Sequence, residues 1–141
     1  MKHSGSTSEQ SRLYNERIIL QAVREQPGIS RAQIAELAGL SAQTISVITS
    51  YLIEKELVCI TGKVKGKRGQ PSIKLEINAQ GAYGLGINID RDHISAALVD
   101  FNGACLLLRQ CHVHFPTETE AKQIALGLIE EGRDNLGDEW K

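Results

Sequence analysis

Nowhere in the 141 residues do apolar side chains run on for the roughly 20 positions that a helical membrane span requires. The start, MKHSGSTSEQ, is polar where a signal peptide would carry an apolar core, so a soluble, cytoplasmic chain is expected. Cysteine is sparse. Cys59, Cys105 and Cys111 are odd in number and never spaced as Cys-x-x-Cys, which indicates neither a disulfide framework nor a structural zinc site. Cys111, His112 and His114 come close to a ligand cluster, but on a strand the cysteine points away from both histidines, and too few ligands share a face. No metal or cofactor is expected. Acid is missing from one long stretch: between Leu57 and Leu75 there is none, against the cations Lys63, Lys65, Lys67, Arg68 and Lys74.

The formal net charge of −1 hides an asymmetry. Residues 1–80 hold 11 Lys/Arg against 7 Asp/Glu, and residues 81–141 hold 5 against 10. A basic half beside an acidic half suggests a nucleic-acid reader joined to something that is not one. The length suits one ordinary domain or two small ones.

The most informative stretch is Arg31 to Ser50, RAQIAELAGLSAQTISVITS. Ile34, Ala35 and Ala38 repeat at helical spacing, Gly39 stops that helix, Leu40 fills the turn, and Ile45 and Ile48 restart the period. This predicts a helix-turn-helix: a small residue where the helices touch (Ala35), a left-handed turn residue (Gly39), and apolar anchors beneath the second helix. Ser30 with Gln33 offers a capping box, and Ser41 an N-cap. An αα-hairpin inside a bundle would share the spacing. The outer face of the second helix separates the two readings, because Gln43, Thr44, Ser46, Val47 and Ser50 are short or amide-bearing and uncharged. A solvated face would carry Lys and Glu, whereas base edges want donors, acceptors and a methyl.

In chain order, residues 1–11 are Ser-rich and read as a disordered arm. Arg12 to Gln26 reads as a first helix with Leu13, Ile19, Leu20 and Val23 on its apolar side, ended by Pro27-Gly28. It supplies the third helix that a helix-turn-helix needs to bury enough surface. Leu57 to Ile60 is a short strand, and Ser72 to Ile77 alternates as its partner. The Gly-rich tip between them makes the hairpin a wing, its cations suited to tracking phosphates and entering a minor groove. Residues 12–78 thus predict a winged helix-turn-helix with double-stranded DNA as partner. Its expected contacts are Arg31, Ser41, Gln43, Thr44, Ser46, Val47 and Ser50 from the helices, and Lys63, Lys65, Lys67, Arg68 and Gln70 from the wing. Gln43 is the best reader, since an amide can bond adenine N6 and N7 together.

After a linker at Asn78 to Gly81, three segments read as an antiparallel meander: Ala82 to Ile89, His93 to Val99, and Ala104 to Phe115. They are separated by turns at Asp90-Arg91-Asp92 and Asn102-Gly103. Thr119 to Gly132 is an amphipathic helix, with Ala121, Ile124, Ala125, Leu128 and Ile129 on one face. The last nine residues read as frayed. The fold class is therefore α+β. The meander is apolar on both faces while one helix is available to cover it, which predicts self-association as a homodimer.

Asn15, the run SRAQIAELAGLSAQTIS, the wing ending RGQPS, and GLGINIDRDHISAALVDFNG behind it resemble regulators of the ROK family (repressors, open reading frames and sugar kinases) over Asn15 to Ile129. The resemblance implies that residues 82–136 are the opening of an actin/hexokinase-like lobe. It also implies a repressor of sugar-utilisation genes, with a sugar inducer only in a longer form of the protein. Kinase members of the family carry an Asp-x-Gly-Gly-Thr phosphate loop where this chain has Asn88-Ile89-Asp90-Arg91-Asp92. The carboxylate that faces metal and phosphate becomes an amide, and both loop glycines are gone, so Asp90 and Asp92 read as plain turn residues and no enzyme is expected. In relatives with an RGRP-like wing tip, Gln70 takes the place of a second Arg. A nucleotide-binding sugar kinase fragment, and a protein-interaction module that uses the three helices without DNA, are the alternatives.

Overall fold

The computed structural model describes residues 6–64 and 72–139. The chain divides into two compact units between Gly81 and Ala82.

The first unit opens on α1 (Ser6–Glu25), whose Ile19 and Val23 are fully buried. Ser6 to Ser11 belong to the helix and not to a disordered arm: the segment holds neither Gly nor Pro, Glu9 in the first turn suits the helix dipole, and extending a helix already nucleated costs little. Leu13 is 51% exposed, because six residues from Ile19 at about 100° per residue places it roughly 120° away from the buried face.

A strand too short for any periodic signal, β1 (Ile29–Ser30), then leads into α2 (Arg31–Ala38) and α3 (Ala42–Glu54). The local chemistry is as the sequence implies. Ser30 caps α2 by accepting from the Gln33 amide, and the Gln33 side chain returns to the Ser30 amide, closing the capping box. Gly39 is left-handed at φ 63°, and Ser41 accepts from the Thr44 amide at 3.1 Å. Ile34, Ile45, Ile48 and Leu52 are buried together beneath the two helices.

After α3 the chain turns through Glu56, which is left-handed (φ 58°) without being glycine. Its carbonyl accepts from Asn78 Nδ2 at 2.6 Å, so the turn and the end of the wing hold each other. The wing is β2 (Val58–Val64) against β3 (Ser72–Ile77), antiparallel from Val58↔Ile77 to Val64↔Ser72, with a bulge at Thr61. β1 joins the other edge of β3, giving the order β1-β3-β2 with Leu75 in the middle, paired to both Ile29 and Ile60 and fully buried. One core therefore serves helices and wing alike: Ile19, Val23, Ile29, Ile34, Ile45, Ile48, Leu52, Val58 and Leu75.

The second unit is the meander β4 (Tyr83–Ile89), β5 (His93–Asp100) and β6 (Cys105–His112), followed by α4 (Glu118–Leu136). The Asn102-Gly103 turn is closed by Asp100, whose Oδ1 accepts from the Asn102 and Ala104 amides. β6 stops short of the expected Phe115 because the chain peels off, Val113 and Phe115 donating to the carbonyls of Asp92 and Arg91. One face of the sheet meets α4, with Ile94, Ala96 and Leu128 buried and Leu85, Ile87 and Ile124 packed around them. The register turns Gly84, Gly86, Ala97 and Leu108 to the other face, where Leu108 is 66% exposed.

The end of the described chain is also ordered beyond expectation. Arg133 sits favourably in the last turn of α4, Leu136 is half-buried, and the Tyr83 hydroxyl donates to Glu139, a bond that pushes the phenol up to about 12.

Candidate nucleic-acid interface

The helix-turn-helix puts an uncharged surface outward on α3. Period and burial divide the helix cleanly: Ile45, Ile48, Thr49 and Leu52 face the core, while Gln43 and Ser50 are exposed and Val47 is 64% exposed. No Lys, Arg, Asp or Glu occurs from Ala42 to Ile53. An exposed valine normally invites no comment. Between Gln43 and Ser50 it supplies an apolar contact flanked by an amide and a hydroxyl, the mixture that a base edge with a methyl group would meet.

The expected contact residues of the helices and of the described wing strands each have a definite place. Ser41 and Thr44 are engaged with each other at the start of α3, their hydroxyls 2.8 Å apart, so they fix the helix end before they offer anything outward. Gln43 and Val47 are exposed and outside the buried core of the described residues, and Ser46 is half-buried beside them. Arg31 reaches from the start of α2 to Ser50, donating from Nη2 to Oγ at 3.1 Å. Lys63 is exposed on β2, and Lys74 is exposed on β3. Lys65, Lys67, Arg68 and Gln70 lie outside the described residues.

Packing adds a neighbour that the residue pattern does not announce. A groove runs between α1 and α3, lined among others by Arg12, Asn15, Gln43, Val47, Tyr51 and Glu54. Arg12 forms its wall on the α1 side, its guanidinium 4.5 Å from the centre of the Tyr51 ring and its Nε 2.8 Å from Glu16. Glu16 holds the guanidinium's pKa above its ordinary value, first through that hydrogen bond. Lys55 approaches the same ring at 5.9 Å. No local spacing encodes the pair, because Arg12 and Tyr51 meet only once α1 has packed across α3.

Residues 12–58, which take in most of α1 and all of α2 and α3, match the family described as winged helix-turn-helix DNA-binding. Together with β2 and β3 they make a winged helix-turn-helix.

Several of the proteins this chain is similar to are named as repressors. The chain is 28% identical over 115 residues to a xylose repressor of Bacillus spizizenii, covering 82% of this chain and 30% of the repressor. It is 30% identical over 89 residues to a xylose repressor of Caldicellulosiruptor bescii, covering 63% and 22%. Its fold overlays, with a TM-score of 0.66 and 21% identity, on a crystal structure of a ROK family transcriptional regulator described as a homolog of the E. coli MLC protein, covering 92% of this chain and 33% of that one. The α+β reading holds, and in fold the chain is similar to that ROK family regulator. The chain spans about 30% of the length of the first curated relatives it matches.

In the second unit, the turn between β4 and β5 is shaped for itself. The Asp90 amide donates to the His93 carbonyl at 2.9 Å and the Arg91 amide to Asp90 Oδ1 at 2.7 Å, so two amides that could have cradled a phosphate are spent. Asp90, Asp92 and His93 each bring one possible ligand atom within 4.8 Å of the others. The Asp92 carboxylate already takes the His93 ring at 2.6 Å, and that hydrogen bond holds its pKa below the ordinary value. The cluster closes a turn and is exposed on its acidic side, consistent with the turn role read from the sequence.

Proposed function

We propose that this chain is the DNA-reading part of a transcriptional repressor of sugar-utilisation genes, in the manner of the relatives named xylose repressors. What carries the proposal is the exposed, uncharged face of α3 on a winged helix-turn-helix. Gln43 and Val47 are left free by the fold on the helix that such domains lay in the major groove. Gln43 would read a base edge, Ser46 and Val47 would make nearby phosphate or methyl contacts, and Ser41 and Thr44 would hold the helix start against the backbone. Lys63 on β2 would begin a phosphate-tracking edge that the sequence extends through Lys65, Lys67, Arg68 and Gln70. The protein would act in the cytoplasm, without catalysis or cofactor, as a homodimer. Any sugar inducer would act on a longer form.

The experiment is enrichment of duplexes from a randomised pool by the whole chain. Enrichment of one sequence, repeated as an inverted pair about one helical turn (~34 Å) apart, is the expected result. Recovery of unrelated sequences would contradict sequence-specific reading, and recovery of single unpaired sites would contradict the dimer.

Lys67→Ala with Arg68→Ala should weaken binding to every duplex and flatten the log-log salt dependence by about 0.9 for each phosphate no longer neutralised. A slope equal to that of the wild type would mean that the tip does not touch DNA. The kinase alternative predicts a different ligand. Calorimetry with magnesium-ATP should give no saturable heat, since Asn88 replaces the carboxylate and the turn amides are already bonded; a micromolar dissociation constant would restore the nucleotide reading.

A further inference from the structure

We infer that Arg31 is a positioning residue for base reading: it sets α3 in the DNA groove by tying Ser50 to the start of α2, rather than by neutralising a phosphate. The inference rests on the DNA-reading proposal and assigns a role within it.

Arg31 occupies the first position of α2, where the helix dipole disfavours a cation, and no acid stands in that first turn to offset it. Its Nε is buried and has no hydrogen-bond partner among the described residues, a second unfavourable placement. Bulk alone does not account for a guanidinium here, since Ile34 and Ile45 already hold the two helices together through the core. What the guanidinium adds is direction. Its Nη2 donates to Ser50 Oγ at 3.1 Å across 19 residues of sequence, a polar tie between the helix that braces and the helix that reads.

Ser50 is well placed to transmit the tie. It lies one turn beyond Ser46 and Val47 and two turns beyond Gln43, on the stripe turned away from the core. Fixing Ser50 therefore fixes the rotation and tilt of the reading face about the apolar contacts beneath it. Base hydrogen bonds depend steeply on that geometry, and phosphate attraction hardly at all. The tie should matter for the cognate duplex and scarcely for any other.

The test compares wild type, Arg31→Gln, Ser50→Ala and the double variant on the duplex enriched by the wild-type chain and on a scrambled duplex, over a series of salt concentrations. Arg31→Gln removes an unfavourably placed cation from α2, so loss of fold is not its expected effect, and thermal melts of all four proteins check this. Each single variant should lose about fivefold or more in preference for the enriched duplex, the double variant no more than either single, and the salt slope should stay unchanged. Arg31→Gln that weakens both duplexes equally and flattens the slope by about 0.9 would make Arg31 a phosphate contact and overturn the inference. Additive losses, an unchanged preference, or a loss tracking a lower melting temperature would overturn it as well. A wild-type chain that enriches no duplex would overturn the DNA-reading proposal itself; a wild type that enriches, with variants that match it, overturns this inference alone.

Discussion

Leu75→Ala should remove about 2–5 kcal/mol from the stability of the first unit, against a total of about 5–15 kcal/mol for an ordinary domain. The size of the effect follows from where Leu75 sits. It is fully buried in the central strand of the wing sheet, paired on one side with Ile29, which leads directly into α2, and on the other with Ile60 of β2. Truncation would leave a void in the core that helices and wing share, and neither neighbour can collapse into it without pulling the other. Urea unfolding followed by far-ultraviolet circular dichroism should show a lower midpoint with an unchanged slope. A loss below about 1 kcal/mol would mean that the wing is hung on the helices rather than packed with them.

Gln43→Ala should cost about 1–3 kcal/mol in binding to the enriched duplex and little on random DNA, because a bidentate amide contributes discrimination rather than general attraction. The fold itself should be indifferent. Gln43 is exposed, lies in the first turn of α3 beyond the Ser41 cap, and alanine is a good helix former. An unchanged melting temperature with a selective drop in affinity is thus the expected pair of results. Equal drops on both duplexes would remove Gln43 from base reading, and a selective gain would show that alanine is the better partner for the preferred base.

The legible parts of the fold are those whose chemistry closes within a few residues. Ser30 and Gln33 complete a capping box three positions apart, Gly39 needs only its own φ, and the period of Ile34, Ile45 and Ile48 declares the buried side directly. The uncharged face of α3 is readable for the same reason, since period and composition together define it. What escapes the sequence depends on partners brought together by packing. β1 is a strand only because β3 lies beside it, and Arg12 meets Tyr51 only across the α1–α3 groove. From its type and place Arg31 is expected as a DNA contact, whereas its bond to Ser50 follows from the crossing of two helices. Leu13 shows the opposite error: an apolar residue near an apolar stripe invites assignment to it, and helical angle puts it outside.

Whether α3 reads bases from the major groove can be decided by methylation interference on the enriched duplex. Dimethyl sulfate marks guanine N7 in the major groove and adenine N3 in the minor groove, so one reagent reports both. Methylation at N7 positions within each half-site should block binding of the wild-type chain. One such cluster should lie beside the base pairs at which Gln43→Ala loses its preference. Interference confined to adenine N3, with N7 methylation tolerated throughout the site, would rule out major-groove reading by α3.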